Sequence, residues 1–235
     1  MRRAVEHLSL AAFTWVMATA ALSIGADLAH WPGIARGMGA LAAVGHGVLT
    51  TAMLARAAVG WAALRAELTD PARGFTSFAF VAANGVLGVR ASLWGMTAAA
   101  VALWAVAAIA WLVLIYGLLL TLFVANERSI RAAVNGSWLI AVVGTQALAA
   151  LSAVLAIPRP PLALLGAYGL WAVGTGLYLI LITVIFLRLA FFPVRPPDLT
   201  PPYWINMGAV AISAVAAFHL FQHPPVGALA WLRPV

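Results

Sequence analysis

The sequence predicts an all-α, polytopic membrane protein, and three observations carry that prediction. Of the 235 residues, 65% are hydrophobic and only 8% are charged, against about 25% charged in a soluble domain. Apolar runs of about 20 residues, the length a helix needs to cross the hydrocarbon core, recur along the whole chain. The runs are continuous and do not alternate, which disfavours a β-barrel.

Seven spans follow, at roughly 8–26, 37–60, 74–94, 97–125, 134–157, 161–192 and 202–221, within a single transmembrane domain over 1–235. The first opens from the basic start MRRAVEHLSLAAFTWVM. No A-x-A cleavage site follows it, so it reads as a retained helix and not as a signal peptide. The sparse link DLAHWPGIARG leads into the second span, which the charged link LRAELTDPARG ends. The third span, with VAANGVLG, turns through WGM into the bulky fourth, ALWAVAAIAWLVLIYGLLLTLF. The charged link ANERSIRAA precedes the fifth, and PRPP joins it to the bulky sixth, GLYLILITVIFLRLAFF. The seventh is introduced by PPDLTPPYW, where prolines stiffen the chain and Tyr203–Trp204 suit the membrane interface.

Charge sets orientation. All 13 basic residues are arginine, and the net charge is +7. Their clustering at span ends fits topology and headgroup contact better than a nucleic-acid groove, so no nucleic-acid partner is expected. One side receives Arg2, Arg3, Arg56, Arg65, Arg73, Arg128, Arg131, Arg188 and Arg195, and the other Arg36, Arg90, Arg159 and Arg233. The positive-inside rule then places the N-terminus in the cytoplasm. There is no cysteine, which excludes disulfides and thiolate chemistry.

The odd spans share a repeat. VMATAALS begins at Val16, VAANGVLG at Val81, VVGTQALA at Val142 and MGAVAISA at Met207, separated by 65, 61 and 65 residues. Each unit is a two-span hairpin, a construction common in transporters and channels. Small, polar-dotted odd spans suit an interior and bulky even spans suit lipid, so the odd helices are expected inside.

The repeat sets Thr19, Asn84, Thr145 and Val210 at one level, with Gly85 and Gln146 beside it and Gly144 and Gly208 close by. Two readings stand: a ring of donors lining a conduit, or hydrogen-bonding glue between helices. No acid lies inside a span, and Asp27 ends the first. Proton or sodium coupling generally needs an intramembrane carboxylate, so anions fit better. Arg90, near the outer end of the third span, either draws anions toward a mouth or snorkels to headgroups. His46 and His219 lie at unmatched depths and do not suit haem ligation. No G-x-S-x-G, phosphate loop or metal cluster occurs, so neither enzymatic chemistry nor a cofactor is expected.

Four stretches carry a family resemblance: FTWVMATAALS at 13–23, DPARGFTSFAFVAANGVLGVR at 70–90, NGSWLIAVVGTQALAAL at 135–151 and PPYWINMGAVAIS at 201–213. The chain resembles the tellurite-resistance/C4-dicarboxylate transporter family, with its bacterial channels, malic acid transporters and plant slow anion channels. The resemblance implies ten helices in five hairpins around a central pore, and a homotrimer in a bacterial-type inner membrane. It implies movement of chloride, nitrate, malate or sulfite, with Thr19, Asn84, Thr145 and Gly208 in pore-helix segments. Ala20 and Ala83 stand where the family often has glycine. With seven spans ending FQHPPVGALAWLRPV, the chain is expected to be truncated, lacking the last three family helices and the gating phenylalanine. The alternative expectation is a non-transporting subunit that works only with partners.

Overall fold

A computed structural model describes residues 8–124, 133–156, 161–193, 195–196 and 200–222. Among them are seven helices long and apolar enough to cross a membrane: α1 (Phe13–Leu28), α2 (Pro32–Leu68), α3 (Phe78–Leu93), α4 (Thr97–Val124), α5 (Ile140–Ala156), α6 (Pro161–Phe191) and α7 (Ile205–Phe221). The protein is a polytopic helical membrane protein. Arg2, Arg3, Arg128, Arg131, Arg159 and Arg233, which entered the orientation argument, lie outside the described residues.

Every odd helix begins in the same way. A 3-10 turn precedes each: Leu10–Ala12, Gly74–Ser77, Gly136–Leu139 and Pro201–Trp204. Polar side chains start two of these turns. Ser9 Oγ accepts from the Ala11 amide and Asn135 Oδ1 from the Ser137 amide, satisfying donors that a helix start leaves open. This turn moves the start of α1 to Phe13, later than the expected residue 8. The second span is longer than expected, Pro32–Leu68, and is interrupted at Gly60 (φ −137°, ψ 41°), where the sequence placed its end.

The hairpin turns repeat as well. After α3, the Met96 amide donates to Ala91 O and the Gly95 amide to Ser92 O, with Gly95 at φ 74°. After α1, Trp31 donates to Ala26 O and His30 to Asp27 O, with His30 at φ 59°. Both are left-handed helix stops, a conformation that glycine adopts freely and histidine does not.

The three hairpins, α1–α2, α3–α4 and α5–α6, stand side by side, and α7 closes the series. α1, α3, α5 and α7 pack in that order as an inner arc, while α2, α4 and α6 lie behind it. α3 and α5 are almost wholly buried, and α2, α4 and α6 are mostly exposed, as span composition predicted. α7 differs from the expectation: it is as exposed as the outer helices, because among the described residues α5 and α6 are the helices that pack along it. Among the described residues no extensive packing joins α7 to α1 across the open side of the arc.

Candidate functional site

The concave face of the arc holds two cavities. The first, about 550 Å³, is lined from the opening ends of all four inner helices, including Thr14 and Ala18, Thr76 and Ala79, Ser137 and Val143, and Pro202 and Ile205. The second, about 470 Å³, is lined from their closing ends, including Ile24 and Leu28, Val86 and Val89, Ala147 and Ala150, and Ile212 and Phe218. The four inner helices therefore run parallel. On α5 the lining residues Ile140, Val143, Ala147, Ala150 and Val154 recur at three- and four-residue steps, and on α3 Val86, Val89 and Leu93 do the same, with Ala79 two turns before Val86. That spacing puts each set on one helix face, so the two cavities share a single concave surface.

The polar residues singled out from the sequence are placed differently. Thr145 Oγ1 donates to Ala141 O on its own helix and accepts from Trp111 Nε1 of α4 at 2.8 Å. Gln146 Nε2 reaches Trp171 O and Thr175 Oγ1 of α6. Thr19 Oγ1 donates to Trp15 O, one turn back. Asn84 Nδ2 donates to Phe80 O, while its buried Oδ1 has no partner. Thr145 and Gln146 thus tie α5 to the outer helices, which is the glue reading. None of these four is among the residues lining the two cavities.

The glycines divide. A Cβ on Gly85 would lie 2.8 Å from the Ala147 carbonyl carbon, and one on Gly144 would lie 2.9 Å from Phe78 O. These two glycines let α3 and α5 touch backbone to backbone. Gly208 has nothing within 4 Å of such a Cβ, and it stands between Ile205 and Ile212, which line the first and second cavities.

Arg90 is only 1% exposed, so it does not snorkel. Its Nη1 donates to Asp27 Oδ2 at 2.7 Å, and its guanidinium lies over the Trp94 ring, 4.3 Å from the centroid. His46 packs edge-on to Phe13 and stacked on Phe80. Among the described residues no group of three or more metal-ligating side chains occurs.

Sequence reasoning missed Thr14, Thr76 and Ser137, hydroxyl side chains from the opening ends of three inner helices that line the first cavity. The signal was present in FTW, FTS and GSW, each just before or within the start of an odd span. It was passed over because only mid-span polar residues were weighed.

The parallel inner helices thus present one concave surface with a cavity at each end. The voltage-dependent anion channel family (SLAC1) matches residues 7–230, and the chain belongs to that family. It is also 46% identical over 46 residues to uncharacterized membrane proteins of Mycobacterium tuberculosis, from strains CDC 1551 / Oshkosh and ATCC 25618 / H37Rv. Those alignments cover 20% of this chain and 23% of each relative, so the chain spans about a quarter of the length of the curated relatives it matches.

Proposed function

We propose that the protein moves small anions, of the chloride, nitrate, malate or sulfite class, across the plasma membrane along the concave face of the α1–α3–α5–α7 arc. The observation that carries this reading is that both cavities draw their lining from all four inner helices, one at each end of the same surface. Family membership supplies the anion. The physics agrees: the opening ends of four parallel helices meet at the first cavity, and helix N-termini carry partial positive charge. The hydroxyls of Thr14, Thr76 and Ser137 stand at that same end. Small apolar residues between the cavities leave room without offering a tight binding site, and weak binding favours passage.

Five of the seven described arginines, Arg56, Arg65, Arg73, Arg188 and Arg195, lie toward the first-cavity end, which supports placing that end and the N-terminus in the cytoplasm. The lining in this reading moves from Thr19, Asn84, Thr145 and Gln146 to Ala18, Ala79, Val143, Ala150 and Gly208. A homotrimer with one path per subunit completes the proposal, by family analogy.

Liposomes carrying the protein, loaded separately with chloride and malate, test it. Efflux above empty vesicles is expected, and Gly208→Phe should reduce it strongly while Thr145→Val leaves it near wild type. Equal rates for Gly208→Phe and wild type would refute this lining. A second reading, a subunit that conducts only beside a partner, draws on the open side between α1 and α7. It would show as no efflux from the inserted chain and as a mixed adduct on crosslinking in native membranes.

A further inference from the structure

Among the described residues two buried arginines, Arg56 and Arg90, each meet a carboxylate, and the two pairs are built differently. Near the first-cavity end, Arg56 Nη1 donates to Glu67 Oε2 at 2.6 Å, and Glu67 Oε1 accepts from Ser9 Oγ and the Leu10 amide. Both side chains are at most 10% exposed. Every carboxylate oxygen there is engaged, so the pair acts as a fixed clamp. At the other end, Arg90 is buried but Asp27 is 45% exposed and accepts through one oxygen only. Arg90 Nε, like Arg56 Nε, is buried and has no acceptor, so the two pairs differ on the carboxylate side.

We propose that Arg90 is an anion-binding residue and that Asp27 is its built-in competing counter-ion, displaced to solvent when a small carboxylate or inorganic anion takes the guanidinium. Four observations support the exchange. A buried guanidinium needs some anion beside it, since removing its partner leaves an uncompensated charge. Asp27 sits in the last turn of α1, where helix carbonyls disfavour negative charge, so little but Arg90 retains it. Arg90 sits in the last turn of α3, where a cation is favoured, and Trp94 fixes its plane. The unused Nε donor would let a planar or tetrahedral oxyanion bond in two places where Asp27 bonds in one. Leu28 follows Asp27 and Val89 precedes Arg90, and both line the second cavity, so the pair stands beside that cavity without lining it.

This inference rests on the conduit reading for the route by which the anion arrives, but its test is binding, so the two fail separately. Purified protein is titrated with malate, and separately with chloride, and thermal unfolding is followed. Asp27→Asn should be stabilised by either anion with a half-saturating concentration at least about tenfold below wild type, because the competitor is gone. The double variant Asp27→Asn/Arg90→Gln should lose that response at equal ionic strength. An Asp27→Asn protein with the wild-type anion response overturns the proposal. Should Asp27→Asn fail to fold in low salt, added malate or chloride must restore it and must leave the double variant unchanged; no rescue by either anion also overturns it. Binding without vesicle efflux would count against the conduit alone.

Discussion

α5 and α7 occupy equivalent places in the repeat, and their surroundings could hardly differ more. Among the described residues α5 is enclosed by α3, α4, α6 and α7, whereas α7 packs mainly on α5, the turn before it and α6. α5 is fastened to α4 by a matched pair of bonds: Trp104 Nε1 donates to Ser152 Oγ and Trp111 Nε1 to Thr145 Oγ1, both at 2.8 Å. Donors and acceptors are each seven residues apart, two helical turns, so the two helices run in register. α7 is held by a similar ladder from α6, in which Tyr168 OH, Trp171 Nε1 and Tyr178 OH donate to Leu220 O, Ser213 O and Asn206 Oδ1. Its other side bears exposed Met207, Val210 and Phe218. Aromatic donors on α4 and α6 thus fasten the inner helices α5 and α7 alike, whatever lies on the concave side.

The largest expected effect breaks the α3–α5 contact. Gly85→Leu would drive a side chain into the Ala147 backbone, and overpacking of this kind costs on the order of 1–3 kcal/mol or more. Loss of the monodisperse peak on size-exclusion chromatography, or a sharply lowered thermal midpoint, is the expected readout. Gly208→Leu on α7 serves as its counterpart and should melt near wild type, since nothing lies within 4 Å of its Cβ.

A smaller effect sharpens the comparison of fastenings. Trp111→Phe removes the bond to Thr145 while keeping the ring, at a cost of about 0.6 kcal/mol and at most about 1.7. A double-mutant cycle with Thr145→Val should return a coupling of that size; additive losses would show that the bond contributes nothing. Tyr178→Phe, which loses a longer 3.1 Å bond to Asn206, should cost less than Trp111→Phe in the same assay. The smallest effect concerns the turns. His30→Gly relieves a left-handed residue at the position matched by Gly95. Equilibrium unfolding should show stabilisation of no more than about 1 kcal/mol, part of the gain being offset by the more flexible unfolded chain.

Much of the fold was legible because membrane helices obey one-dimensional rules. Hydrophobic length marked the seven spans, and the recurring octapeptides separated by 65, 61 and 65 residues anticipated inner helices that begin at Phe13, Phe78, Ile140 and Ile205. Bulky side chains in the fourth and sixth spans anticipated their exposure. The site was less legible. A threonine or glutamine in an apolar helix announces that its polar atoms need a partner, but the requirement is the same for a neighbouring helix as for a water-filled path. Thr145 and Gln146 found theirs on α4 and α6. Arg90 looked like a mouth group, and the identity of its partner 63 residues away had no local signature.

The sequence by itself determined that this chain crosses a membrane as repeated helical hairpins, because hydrocarbon thickness and backbone hydrogen bonding leave an apolar chain few alternatives. Only the tertiary structure decided which face of each inner helix looks inward. That choice depends on how neighbouring helices rotate to bring Gly85 against Ala147 and Trp111 against Thr145. Rotation about a helix axis is set by contacts with other helices, and the helix's own sequence holds only half of each contact.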